Sequence, residues 1–424
     1  MSMAKKGRAT GASSSPAQQL QRCAQAFQAA MARNDFGAAL GAAEGALKIV
    51  PQHMGVLSDY ALCLMRLNHF SRAYTVYLQI FNAPPALQAQ ASPTWLDGLA
   101  EVCGHLGLRD EVRTYGKRSL EQADARHGHA VEPGPRVAAP AAFQPGAPER
   151  NIIAYTLFGD SPRYCESAIA NVQVARELFP AWRCRVYLDD SVPALIRQRL
   201  LDAGAQVIDM SGSARDGVHP LMWRFLVVDD PDVDRYLIRD ADSLLSEREQ
   251  EAVEQWLASP YWFHHIRDYF THTDLILAGL WGGCRGGLPA LKPQMQSWLA
   301  QQSDVTRFAD QMFLREQVWP MLRQSVLNHD ECFDFHGAQP LPAHAPIRWQ
   351  TEHFHVGSNA SFKAIRGPST KACGERQGWR VMDQAGQEVC RYHSKVQGKY
   401  WSADLPFFVA APLGAGQWRV ELTD

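Results

Sequence analysis

The chain has 424 residues, 46% of them hydrophobic and 20% charged, with a formal net charge of -2 at pH 7. That length supports two or three domains around sizeable cores. The balanced charge argues against a nucleic-acid partner, and no run of about 18 apolar residues is present to span a membrane.

Residues 1 to about 16 open on Met-Ser-Met-Ala-Lys-Lys-Gly and continue in small polar residues, which reads as a disordered leader rather than a signal peptide. Nine cysteines lie at 23, 63, 103, 165, 184, 284, 332, 373 and 390, with no Cys-x-x-Cys pair. An odd, scattered set fits a reducing compartment, so a cytoplasmic location is expected.

From 17 to 130 the pattern is helical and it repeats. Phe36, Ala39, Ala46-Leu47 and Pro51 recur as Phe70, Ala73, Ile80-Phe81 and Pro85, an offset of 34 residues. That is the period of a tetratricopeptide unit, in which small residues let two helices close and each unit buries its apolar face on the next. A looser third unit begins at Trp95. A plain helical-hairpin array without that repeat identity is the alternative. Either stack suits a protein partner or a second copy of the chain.

Residues 131–149 form a linker, since five prolines and two glycines between Val131 and Pro148 disfavour both helix and strand. Beyond it the rhythm becomes α/β. Strands are expected at Ile152–Phe158, at Cys184–Leu188 and through Val207-Ile208, with helices at 163–179 and 193–203 between them. Further helices are expected near 220–228 and over Glu247–Leu257. Strand–helix alternation implies a mostly parallel sheet with right-handed crossovers, spanning 150–361. The tail, 362–424, carries Val381–Gly386, Val389–Tyr392, Phe407–Ala410 and Trp418–Leu422 as short strands joined by glycine turns. Those strands make either a small β appendage or an extension of the main sheet.

The chemistry is expected at Tyr236-Leu-Ile-Arg-Asp-Ala-Asp-Ser243, an apolar strand that stops at Asp240 and Asp242. Open α/β sheets bind ligands at strand ends, and two carboxylates there can hold a hard cation that bridges a diphosphate. Their competing role is to cap the following helix. His353 and His355 fall on the same side of an extended segment ahead of Gly357, and an imidazole joined to the carboxylates suits Mn²⁺ better than Mg²⁺. Arg224, just upstream, has the charge to neutralise a phosphate or pair with the aspartates. In the dense patch from Phe263 to Gly283, His265 and Asp268 belong to a set of polar groups too large to bury without purpose, and Gly279 and Gly282 around Trp281 would let a ligand approach the backbone. Asp310 can cap a helix, and Gln311 offers both donors and an acceptor to a sugar-sized ligand.

Taken in order, Tyr155-Thr-Leu-Phe-Gly159, Tyr187-Leu-Asp-Asp190, Asp240-Ala-Asp242, Ala278-Gly-Leu-Trp-Gly282, Asp310-Gln311 and His355-Val-Gly357 make residues 151 to about 360 resemble a GT-A-type glycosyltransferase. The last two motifs look like retaining enzymes of the glycogenin and lipopolysaccharide galactosyltransferase type, and the combination with helical repeats is similar to bacterial glycan transferases. The resemblance implies an enzyme with Mn²⁺ or Mg²⁺ on Asp240, Asp242 and His355. It also implies a nucleotide-sugar donor along Tyr155, Leu157 and Gly159, positive potential from Arg224, Arg239 and Lys363, and Gln311 beneath the anomeric carbon. Asp310 would orient a substrate, or act as base if the reaction inverts. The acceptor would be a glycan or protein hydroxyl, positioned by His265 or Asp268. The chain departs from the pattern in having no Lys-Pro-Trp after Gly357. A phosphotransferase using Asp240, and a non-enzymatic repeat scaffold with a degenerate α/β domain, are the competing readings.

Overall fold

A computed structural model describes residues 15–129, 139–212, 217–351 and 354–424. His353, nearly all of the leader and half of the proline-rich stretch fall outside them. The chain divides into two compact units, Met1–Glu121 and Gln122–Asp424.

In the first unit the apolar periodicity becomes helices: α1 (Pro16–Met31), α2 (Phe36–Leu47), α3 (Met54–Arg66), α4 (Phe70–Phe81), the single turn α5 (Pro85–Gln88), α6 (Trp95–His105) and α7 (Arg109–His127), the last running past the division. Ser15 starts α1 through a reciprocal capping box with Gln18. Ala39, Ala43, Ala61 and Ala73 are buried, and such small side chains allow close helix approach. The turns into α2 and α4 pass through Asn34 (φ 54°) and Asn68 (φ 61°), again 34 residues apart. Asparagine tolerates this left-handed backbone because its short amide can bond locally. At the turn into α7 the same task falls to Gly107 (φ 73°).

The second unit is built on a seven-stranded sheet of β1 (Asn151–Leu157), β2 (Arg183–Leu188), β3 (Gln206–Asp209), β4 (Arg235–Arg239), β5 (Phe263–Arg267), β6 (Leu280–Cys284) and β7 (Val326–Asp330). Their order is β3-β2-β1-β4-β6-β5-β7. β1 runs parallel to β2 and β4, β2 to β3, and β5 to β7, whereas β6 is antiparallel to both its neighbours. Around it lie α8 (Pro162–Leu178), α9 (Ala194–Asp202), α10 (Glu247–Leu257), α11 (Leu291–Ala300), α12 (Ala309–Phe313) and α13 (Trp319–Leu322). The helix expected near 220–228 is a 3-10 helix, Pro220–Asp229.

The tail forms β8 (Lys363–Pro368), β9 (Arg376–Met382), β10 (Glu388–Lys395), β11 (Tyr400–Leu405), α14 (Phe407–Gly414) and β12 (Arg419–Thr423). These strands make a three-stranded antiparallel sheet, β10-β9-β12, and a hairpin-like pair, β11-β8, separate from the main sheet. The strand expected at Phe407–Ala410 is instead the start of α14. Its apolar run has no alternation to favour a half-buried strand, and Pro406 stands at its N-cap. The tail is tied down by Tyr392, whose hydroxyl donates to Glu166 of α8 at 2.5 Å while Arg199 of α9 donates to both oxygens of that carboxylate.

Gly282 shows how tightly β4 and β6 are pressed together. A Cβ on it would lie 2.6 Å from the Tyr236 carbonyl oxygen and 2.7 Å from Leu237 Cδ2. Because backbone cannot step aside cheaply, Gly282→Ala is expected to destabilise the protein by about 1–3 kcal/mol in chemical denaturation.

Candidate functional site

β1 is followed by β2 and β3 on one side of the sheet, while β4 joins on the other, so the strand order reverses between β1 and β4. In open α/β sheets the crevice at the carboxyl ends of such a pair is the usual ligand site. A cavity of about 470 Å³ opens there. It is lined at the end of β1 by Thr156, Leu157 and Phe158, at the end of β4 by Asp240, Ala241 and Asp242, and at the start of β6 by Gly279 and Leu280. Arg224, His272, Arg307, Asp310, Gln311 and Gly357 are among the other residues that line it.

Arg224, on the 3-10 helix, organises its floor. One Nη donates to Asp240, the other to Asp310 Oδ2 at 2.9 Å. Its backbone N–H donates to Thr156 Oγ1 at 2.9 Å. Burial pulls the guanidinium pKa down, but Asp240 and Asp310 outweigh that and leave it above its usual value. Burial raises the Asp310 carboxyl, with Arg224 working against the shift. Asp242 is likewise raised by burial and by Asp240, and it takes Arg163 at 2.6 Å. The two aspartates are not equivalent: the Asp240 side chain is 41% exposed and that of Asp242 only 13%. Gly279 makes room for Asp240, since a Cβ there would fall within 2.1 Å of Oδ2.

Gln311 lines the cavity with half of its amide already engaged: Oε1 accepts from the Ala278 N–H, and Nε2 donates to Asp274 at 2.7 Å. One lone pair and one N–H remain for a ligand. α12 continues into a π-helical turn, Leu314–Val318, an irregularity that often accompanies functional sites.

Leu157, Arg224, Asp240, Asp242, Gly279, Asp310 and Gln311 therefore meet as expected positions, but other expected residues do not line the cavity. Thr156 faces Arg224, so the alternation of a strand carries Tyr155 to the other side of the sheet, where it is buried. Gly159 (φ 76°) belongs to the β1–α8 turn, donating its N–H to Ser191 Oγ. Arg239 is no phosphate contact; it is sealed in the core, paired with Glu249 and donating to the Ile238 and Trp281 carbonyls. Trp281 is fully buried against Phe225 and Tyr236, and the close approach at Gly282 is to β4, not to a ligand. Lys363 opens β8 at an exposed position, in register with Leu405. His265 is buried, its Nε2 accepting from the Leu277 N–H at 2.9 Å and its Nδ1 3.2 Å from Asn328 Oδ1.

His355 is not assembled with the aspartates as a third ligand. Its ring stacks on Tyr269, with centroids 3.7 Å and planes 1° apart, and His272 is the histidine that reaches the cavity. Burial, then His355 and Arg267, hold His272 well below its usual pKa, so it is neutral. Among the described residues no group of three or more His, Cys, Asp or Glu side chains is set to hold a metal ion. Sequence reasoning passed over Thr156, Phe158, Arg163, Tyr164, His272 and Asp274. His272 was within reach of it, four residues after Asp268.

Asp268 lies behind the wall. It accepts from the Val356 N–H at 2.9 Å and has Arg248 at 3.6 Å. Burial nonetheless pushes its carboxyl up to about 7. A raised carboxyl favours the folded state while protonated, so that contribution is complete below about pH 4 and is lost as pH rises through about 7. Asp268→Asn keeps an acceptor for Val356 without the charge. Relative to the unaltered protein it is expected to gain on the order of 1–3 kcal/mol between pH 4 and pH 8 in denaturant titrations. An unchanged pH dependence would count against this account of Asp268.

No family model and no curated protein sequence matches the chain. Among solved structures it is similar to a mutant O-GlcNAc transferase of Thermobaculum terrenum, at 17% identity over 46% of this chain and 42% of that one, with a TM-score of 0.24. It is also similar to the mannosyltransferase PcManGT of Pyrobaculum calidifontis, in complex with GDP-Man and Mn2+, at 14% identity over 48% of this chain and 62% of that one, with a TM-score of 0.28. The chain thus spans less than two thirds of either neighbour, and likenesses of this extent carry no argument about activity.

Proposed function

We propose that the cavity is the active site of a metal-dependent glycosyltransferase, which moves a sugar from a nucleotide-sugar donor to a hydroxyl of a glycan or protein acceptor. The observation that carries this reading is the convergence of Asp240 and Asp242 with Arg224, Asp310 and Gln311 in a crevice at the reversal point of the sheet.

Small hard cations are held by one or two carboxylates together with substrate phosphates, and the two aspartates fit that pattern without a protein nitrogen. Asp240, the more exposed, and Asp242 would hold Mn²⁺ or Mg²⁺. Such an ion supplies charge compensation for a departing nucleoside diphosphate. The remaining work falls to the protein. Arg224 keeps Asp240 and Asp310 at fixed separation, so the floor needs no rearrangement as charge develops. Asp310 and the free edge of Gln311 orient the sugar. Gln311 also fixes the loop that carries Asp274 and Ala278, which shapes the wall toward the acceptor. Asp240 is bound to Arg224 and, among the described residues, no lysine lines the cavity, an environment that disfavours the reading of Asp240 as a phosphoryl-accepting nucleophile.

Calorimetry with a panel of nucleoside diphosphates and Mn²⁺ tests the reading. At least one nucleotide is expected to bind only with the metal, and Asp240→Asn to weaken that binding at least about tenfold, as loss of a charged contact does. Gly279→Ala pushes the Asp240 carboxylate aside and is expected to lose a similar amount, with a lowered denaturation midpoint as well because Arg224 loses that partner. Binding of no nucleotide under any metal condition would leave the scaffold reading in its place.

A further inference from the structure

We propose that Arg163 is a positioning residue of this site: it is the resident counter-ion of Asp242, yields that carboxylate to a divalent cation, and then turns to the donor's diphosphate. The inference rests on the cavity being a donor site.

Three observations carry it. First, the two acidic partnerships at the strand tip differ in kind. Arg224 is buried and held on several sides by Asp240, Asp310, Thr156 and the Arg239 carbonyl. Arg163 spends both its contacts, Nε at 3.1 Å and Nη2 at 2.6 Å, on the single oxygen Oδ2 of Asp242. Its side chain is 21% exposed. It lacks the two-oxygen fork of the strongest pairs, so it is the more easily displaced. Second, Arg163 has somewhere to stay. Its guanidinium lies 4.1 Å from the Phe362 ring centroid and 5.1 Å from that of Tyr164, and Tyr164 lines the cavity. Aromatic faces hold a guanidinium by its plane and leave its N–H edges for an oxyanion.

Third, the charges require an exchange. Among the described residues, Asp240, Asp242 and Asp310 form ion pairs with Arg224 and Arg163, and Arg307 lines the cavity at an exposed position without joining them, so three carboxylates at the inner end meet two guanidiniums and the excess opposes a diphosphate. A divalent cation on Asp242 reverses that excess, and it also releases Arg163 where positive charge is needed. Reach permits this: two cation–oxygen bonds of about 2.1 Å keep a shared phosphate oxygen within about 4 Å of the Asp242 oxygen. Arg163 stands in the first turn of α8, an end of the helix that itself favours an anion.

The test uses the full chain at pH 8, with Mn²⁺ alone followed by electron paramagnetic resonance and then preformed Mn²⁺–pyrophosphate followed by calorimetry. Arg163→Gln removes a competitor for Asp242 and is expected to bind Mn²⁺ alone about tenfold tighter, while the extra affinity contributed by pyrophosphate falls at least about tenfold. Arg163→Lys, which retains charge, is expected to recover part of the second quantity. If Arg163→Gln leaves Mn²⁺ binding unchanged or weaker, or leaves the pyrophosphate gain intact, the exchange is wrong although the donor site stands. If the unaltered protein binds no Mn²⁺–pyrophosphate, the donor-site reading fails and this inference with it.

Discussion

The buried guanidinium of Arg224 is the constraint on which the site depends. Removing a cation from water is costly unless every charge finds a partner, and Arg224 meets that demand by reaching Asp240 at the tip of β4 and Asp310 in α12. Two segments 70 residues apart in sequence are thereby held in one crevice. Its backbone N–H on Thr156 adds the end of β1. Strand end, helix and 3-10 segment are thus coupled through one side chain, and the geometry of the carboxylates follows from it.

Around that floor, the sheet decides what is accessible. Because order reverses between β1 and β4, helices leave the strand ends in different directions and a crevice remains uncovered. β6, entering antiparallel, brings Gly279, the residue before it, to the same edge. A side chain at Gly279 would occupy the space of the Asp240 carboxylate. The next glycines of the strand, Gly282 and Gly283, meet Tyr236 and Leu237 or Phe263 instead, so one sequence cluster divides into a site residue and packing residues.

Much of the fold was legible because local periodicity follows from steric preference. The interval between Phe36 and Phe70 marked equivalent helix starts, and the strands at the acidic tip and at 152–158 stood out as apolar runs. Asn34 and Asn68, at the turns into those helices, carry the same interval. Phe407–Ala410 misled, since a short apolar run has no period with which to separate strand from helix. Arg239 and Arg224 are both arginines near two aspartates; burial of Arg239 beside Glu249 made it a core ion pair. His355 stacks flat on Tyr269 while His272, edge-on to both rings, lines the cavity, and such contacts have no sequence signature.

What the sequence determined by itself was the kind of chain: a helical array, then an α/β sheet with a carboxylate pair ending a strand. These are consequences of residue spacing along a few turns or one strand. Tertiary structure alone decided which polar groups face the crevice. A strand's alternation turns Tyr155 away from the side that Thr156 faces, Leu157 lines the cavity as the residue where β1 ends, and only the packing of distant segments sets which charge meets which. Arg163 with Asp242 and Arg224 with Asp310 are such pairs, the second sealed by burial of both partners and the first left with a partly exposed guanidinium.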